Sequence, residues 1–246
     1  MNELSTIYNK IGLNYTNLRQ ADPRIAHSVH SALGPARSIL NVGAGAGSYE
    51  PRDKAVTAVE PSVKMIGQRP PSNATVIRGV AENLPFEDDS FDAAMAILTI
   101  HHWSDQEKGI AEMRRVTRGN IVLLTYDASF QSFWLLDYFP EFIALDERNM
   151  PPMQEYENWL GTVEISPVPI PHDCTDGFLA AYWRRPYAYL DEKVRTGISS
   201  FWAVGDVSDG LKQLEADLDS GAWEQQYGHL LELDELDCGY RLVVAT

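Results

Sequence analysis

The residues able to do chemistry in this chain of 246 sit at the ends of apolar runs. The first run, Ile39 to Val42, leads into Gly43-Ala44-Gly45-Ala46-Gly47, with glycine at every second position. Glycine there lets the chain turn tightly and brings backbone N–H groups against a ligand with no Cβ in the way. Glu60 ends a second run, Ala55 to Val59, about twenty residues past the glycines, where nucleotide-binding sheets hold a ribose diol. Its carboxylate can accept a hydrogen bond from both hydroxyls, and charged acceptors make the stronger bonds. His101 and His102 follow the run Ala93 to Thr99, Asp127 closes Ile121 to Tyr126, and His172 comes after Thr162 to Val168. Imidazoles at strand ends suit proton transfer near neutral pH, although adjacent histidines serve equally well to pack a helix entry. The chain offers no nucleophilic triad and no paired carboxylates, which suits a reaction that depends mainly on holding two partners in line.

The glycine spacing discriminates further. A dinucleotide fingerprint requires G-x-G-x-x-G, but Ser48 stands where its third glycine belongs and Gly47 comes one position early. A dinucleotide-dependent oxidoreductase is therefore disfavoured. The loop is followed by Glu60-Pro61-Ser62, by Gly79-Val80-Ala81-Glu82-Asn83-Leu84-Pro85-Phe86 with Ser90-Phe91-Asp92, and by His102-Trp103. From about Ile39 to Tyr126 this series resembles the class I, Rossmann-like S-adenosylmethionine (SAM)-dependent methyltransferases, nearest their small-molecule, type 11-like branch.

The resemblance implies SAM as cofactor and S-adenosylhomocysteine as product. It places Gly43, Ala44, Gly45 and Gly47 under the cofactor, Glu60 and Pro61 at its ribose, and Leu98 beside it. Ala81 and Glu82 fall at the adenine edge, where many relatives carry an acid in place of Val80. Tyr15 and Arg19 fall near the methionine carboxylate, on an N-terminal segment that closes over the site in relatives; surface packing is the plainer role for both. The implied activity is methylation of oxygen, nitrogen or carbon on a small molecule by in-line displacement. His101 or His102 would serve as base where the acceptor must lose a proton. A SAM-binding regulatory partner without activity of its own fits the same residues.

The elements that must position these groups read as one α/β domain. Unbroken apolar strands suit a parallel sheet buried on both faces. The expected fold is a doubly wound, mostly parallel seven-stranded Rossmann-like sheet with an antiparallel last strand, Tyr240 to Ala245. Asp22-Pro23 predicts a helix N-terminus stopped at Gly34, and residues 1–34 form an expected helical cap segment. Only about one helical turn fits between Gly47 and Ala55, so the first crossover is trimmed. Ser62 should cap a helix through Met65, a third strand is predicted over Ala74 to Arg78, and Ser104-x-x-Glu107 predicts a capped helix to Arg118. Residues 173–237 are too long for a simple strand connection and carry Phe178, Tyr182, Trp183, Tyr187, Tyr189, Phe201 and Trp202. This helical insertion is either core or a lid over the acceptor. In the second case Trp183 and Tyr187, with Asp127 and His172 at the sheet edge, are the candidate substrate residues.

Composition bounds the partners. With 35 acidic against 20 basic residues the formal charge is −15, which argues against nucleic acid, whose binding draws on Lys and Arg. The expected partner is a small molecule, aromatic or heteroaromatic, enclosed by the insertion and the N-terminal segment. Cys174 and Cys238 lack metal-ligand spacing and read as reduced thiols, so no metal site and a cytoplasmic location are expected. No run is long enough to span a bilayer.

Overall fold

The computed structural model describes residues 19–246. Among the described residues the first helix is α1 (Pro23–Ala32), which is capped by the Asp22 side chain accepting from Arg24 N–H and ends before Gly34 at φ +63°. α2 (Val63–Gly67) is capped in the same way by Ser62, which accepts from Met65 N–H. Strands β1 (Ser38–Val42), β2 (Ala55–Val59), β3 (Thr75–Ile77), β4 (Ala93–Ile97) and β5 (Ile121–Tyr126) are parallel. They form one sheet with β6 (Val163–Pro167) and β9 (Tyr240–Ala245), in the order β3-β2-β1-β4-β5-β9-β6. β9 runs antiparallel to both its neighbours, pairing Ile121 to Tyr126 with Ala245 to Tyr240.

The apolar runs are unbroken because both faces of the sheet are covered. Ile39, Met95, Val122 and Leu124 join the core beneath α1 and the insertion, while Leu40, Val42, Ala94, Ala96 and Leu123 join the core beneath α3 (Gln106–Val116). Adjacent residues of one strand thus serve opposite layers, as the two-residue pleat requires.

Several elements depart from expectation at their ends. Between Gly47 and Ala55 the chain forms turns with no helical turn, and Tyr49 lies buried within them. The third strand is shorter than Ala74 to Arg78. β4 stops at Ile97 because Leu98 adopts φ +50°, a left-handed backbone rare outside glycine. The cap of α3 is Asp105, accepting from Lys108 N–H; Ser104 instead donates to Glu82, and the helix ends at Val116, short of Arg118.

Between β5 and β6 lie α4 (Leu135–Tyr138), α5 (Glu141–Asn149) and α6 (Met153–Leu160), whose Tyr156 and Leu160 close the second core. Between β6 and β9 come the short pair β7 (Ile170–Pro171) and β8 (Glu235–Leu236), with helices α7 (Glu192–Thr196), α8 (Ser199–Ala203), α9 (Ser208–Ser220) and α10 (Ala222–Tyr227) between them. Gly221 ends α9 at φ +80°, where the amphipathic Leu211, Leu214, Leu218 pattern stops. The aromatic residues here are largely core: Trp134 packs edge-on to Tyr189 and Trp223, and its indole N–H donates to the Trp183 carbonyl.

Asp22 joins α1 to the insertion. Besides capping the helix it accepts from Thr175 N–H and from the Arg24 guanidinium. Burial pushes the Asp22 carboxyl up, but the Arg24 side chain and the two N–H groups more than offset this and hold it at about 2. Asp22→Ala is expected to lower stability by about 2 kcal/mol, from the lost cap and the charge-assisted bonds. That corresponds to a melting shift of roughly 4–8 °C by calorimetry at neutral pH. Because the folded pKa lies below the unfolded one, the contribution is complete above about pH 5 and fades as pH falls toward 2. A wild-type advantage that persists undiminished at pH 2 would count against the carboxylate.

Candidate active site

The carboxyl ends of β1, β2 and β4 open on a cleft of about 670 Å³. Gly43, Gly45 and Gly47 all take positive φ, at +67°, +53° and +82°. At Gly43 a Cβ would fall 2.1 Å from Thr99 Oγ1, so the β1 turn closes directly on the β4 turn. The loop is braced from behind by a buried ion pair: Arg69 donates to Glu50 and to the Gly45 carbonyl, and Glu50 also accepts from Asn41 Nδ2.

Glu60 lines this cleft at 6% exposure. One carboxylate oxygen accepts from Gly45 N–H and the other from Ser62 N–H, both at 2.8 Å. Burial raises its pKa, opposed by those two N–H groups and the charge of Arg69. Each oxygen keeps a second lone pair for a ligand hydroxyl. Ala44, Pro61, Ala81, Glu82, Leu98 and Arg19 also line the cleft, so the structure brings the residues of the glycine loop, the second strand tip and the third turn to one wall. Gly47 shapes the loop without lining the cleft, and Tyr15 lies outside the described residues. Glu82 is turned to a bracing role, accepting from Ser104 N–H and Oγ and from Asp105 N–H, whereas the half-exposed Val80 lines the cleft.

A second chamber of about 90 Å³ adjoins the first, and Arg19, Leu98 and His102 line both. His101 belongs to the chamber, its ring centroid 3.8 Å from that of His102. Burial, helped by the Arg19 charge, pulls His101 down to about 4, and His102 is lowered for the same reasons and by His101. Both imidazoles are therefore neutral at pH 7, and burial makes each a weaker base than a free imidazole.

The four candidate substrate residues stand apart from both cavities. Asp127 accepts from Ser129 and faces Arg241; His172 Nδ1 lies 3.1 Å from the Asp234 carbonyl. Trp183 is fully buried with its indole N–H on the Ile170 carbonyl, and Tyr187 is 60% exposed. The insertion reaches the chamber instead through Phe178, Leu179, Ile198, Ser199 and Ser200.

Two residues the sequence did not single out belong to the site, and the first ties it together. Asp176, fully buried, accepts from Arg19 Nε at 2.6 Å and from the Tyr49 hydroxyl at 2.8 Å. It lies 157 positions from Arg19, and no local pattern announces it. Asp146 of α5 lines the chamber, and its only sequence signal is an acid one position after Leu145 on a helix with a buried apolar face.

Fold, strand order and glycine loop together define a class I methyltransferase, and the comparisons with known proteins place the chain in that group. The methyltransferase domain family matches residues 40–125. A crystal structure from Anabaena variabilis, described as a candidate methyltransferase of an antibiotic biosynthesis pathway, is 41% identical with a TM-score of 0.86, covering 93% of this chain and 99% of that one. The chain thus belongs to the SAM-dependent methyltransferases of the class I fold. A demethylmenaquinone methyltransferase of Renibacterium salmoninarum is 35% identical over 105 residues, 40% of this chain and 44% of that one. A 2-methyl-6-phytyl-1,4-hydroquinone methyltransferase of Oryza sativa is 34% identical over 85 residues, 35% of this chain and 23% of that one. The chain spans less than half the length of the curated relatives it matches.

Proposed function

We propose that the protein methylates a small-molecule acceptor using SAM, with the cofactor in the large cleft and the acceptor entering the smaller chamber. The observation that carries this reading is the shared wall: Arg19, Leu98 and His102 line both cavities, so groups bound in the two are neighbours. The large cleft fits the cofactor. Its glycine turn is kept free of side chains, and Glu60 offers a buried carboxylate with open lone pairs beside it. When bound, SAM supplies a methyl group on a sulfonium, whose departure needs no acid.

The protein's own residues then have limited tasks. Gly43 to Gly45 and Glu60 fix the cofactor's depth, and the left-handed turn at Leu98 aims its side chain between the cavities. The neutral His101 or His102 takes a proton from acceptors that must lose one. Most of the acceleration comes from holding the two partners in line in a site that excludes water. Two relatives named for hydroquinone and demethylmenaquinone methylation support an aromatic acceptor, as do Tyr126, Phe178 and Tyr240 in the chamber wall.

Titration calorimetry with S-adenosylhomocysteine tests the cleft. Glu60→Ala should weaken binding roughly ten- to hundred-fold, since bonds to a charged group contribute about 1.5–3 kcal/mol. Unchanged affinity would remove Glu60 from the site. Methyl transfer to a protein or RNA in preference to every metabolite fraction would overturn the enclosed-acceptor reading.

A further inference from the structure

The chamber contains one acidic group that the reaction as described does not use. Asp146 projects from α5 onto the floor built by Tyr126 of β5 and Tyr240 of β9. Among the described residues its carboxylate has no hydrogen-bond or ion-pair partner, and the other polar groups of the chamber are engaged elsewhere or uncharged. The Tyr126 hydroxyl donates to the Phe130 carbonyl, the Arg19 guanidinium is bound to Asp176, and His101 and His102 carry no charge at neutral pH.

Asp146 is part-buried, and a part-buried carboxylate without a protein donor is relieved best by a cationic one. The walls suit such a visitor. Tyr240 stands 5.4 Å from Tyr126 and 4.8 Å from Phe178, centroid to centroid, so three aromatic rings meet at the chamber beside the carboxylate. Aromatic faces attract ammonium groups. The net charge of −15 favours the approach of cations over anions.

We infer that Asp146 anchors the acceptor through a protonated amine, and that the protein's substrate is a small amine carried on a ring or short chain. This rests on the reading of the smaller chamber as the acceptor site. Asp146 also receives the proton that an ammonium must lose before its nitrogen can attack: the N–H bond breaks, the electron pair stays on nitrogen, and the proton passes to the carboxylate. Burial alone pushes this carboxyl up to about 7, which makes it a capable proton acceptor at neutral pH.

Benzylamine and benzyl alcohol, equal in shape and differing in charge, are the probes. Their binding is followed by amide chemical shifts, with and without S-adenosylhomocysteine, in the wild type and in Asp146→Asn. The wild type should bind benzylamine at least about ten-fold tighter than benzyl alcohol, a difference of about 1.4 kcal/mol. Asp146→Asn should erase that preference while keeping its affinity for S-adenosylhomocysteine and for the alcohol. The wild-type comparison stands by itself should the variant fold poorly. Benzylamine binding no better than the alcohol, or not at all, overturns the inference, as does an Asp146→Asn protein that still prefers the amine. Failure of S-adenosylhomocysteine to bind the wild type is a separate result that overturns the cofactor reading, whichever probe is preferred.

Discussion

Gly43→Ala is expected to weaken S-adenosylhomocysteine binding by at least about a hundred-fold, close to 3 kcal/mol. Two costs coincide there. The residue sits at φ +67°, where a side chain is disfavoured by about 1–2 kcal/mol. A Cβ would also lie 2.1 Å from Thr99 Oγ1 and 2.8 Å from Thr99 Cγ2, well inside contact distance, and Thr99 is buried with little room to withdraw. The turn must then open, which moves the neighbouring N–H groups off Val59 O, where Gly43 and Ala44 now bond at 2.9 and 3.1 Å. Gly45→Ala meets only Met65 Cε at 3.5 Å and should cost less, through its backbone alone. The clash and the backbone strain separate in Gly43→Ala combined with Thr99→Ala, which should recover part of the affinity and leave the strain behind. Calorimetry on the two singles and the double decides the matter. Normal binding by Gly43→Ala would mean that the glycine turn does not cradle the ligand.

The same turn shows what can be read from a sequence and what cannot. The strand before it, its glycines and Glu60 lie close together along the chain, and each is dictated by a local need: burial on two faces, a positive φ, an acceptor at a strand tip. Such needs leave a pattern. Strand interiors were legible for the same reason, and β5 and β9 fall where their apolar runs begin and end. Ends were less so. Ser104 and Asp105 are both good caps, and only the Glu82 carboxylate, reaching across from another loop, removes Ser104 from the competition. The insertion was least legible. Its aromatic residues satisfy core and lid equally by composition, and the choice is made by tertiary partners: Trp183 is claimed by Ile170 and Trp134, while the chamber receives Phe178 and the turn at Ile198–Ser200. Asp176 has no local pattern at all and Asp146 only its place beside Leu145 on an amphipathic helix, because their meaning comes from what folds against them.

Asp176→Ala should produce the largest loss of stability, about 3–5 kcal/mol, the usual cost of stranding one half of a buried charged pair. Asp176 is fully buried and Arg19 only 15% exposed, and the carboxylate holds both the Arg19 guanidinium and the Tyr49 hydroxyl. Asp22 is different, because its partner Arg24 is half exposed and keeps Asp173 when Asp22 is removed. At 2–4 °C for each kcal/mol in a chain of this size, the melting temperature should fall by roughly 10 °C. The effect should reach the cleft as well. Tyr49 and Arg19 both line it, and burial together with the Asp176 charge raises the Tyr49 pKa, keeping the hydroxyl protonated as a donor. Through these bonds the trimmed first crossover, which has no helix of its own, is held in place by the insertion. Asp176→Asn, which keeps the shape and one acceptor, should lose less than Asp176→Ala. Its effect should also overlap with that of Tyr49→Phe, because both remove the same bond. A double-mutant cycle between them should give a coupling of about 1 kcal/mol or more, in the range found for residues sharing one network. Strict additivity, together with unchanged S-adenosylhomocysteine affinity in Asp176→Asn, would show that the insertion does not hold the cofactor loop.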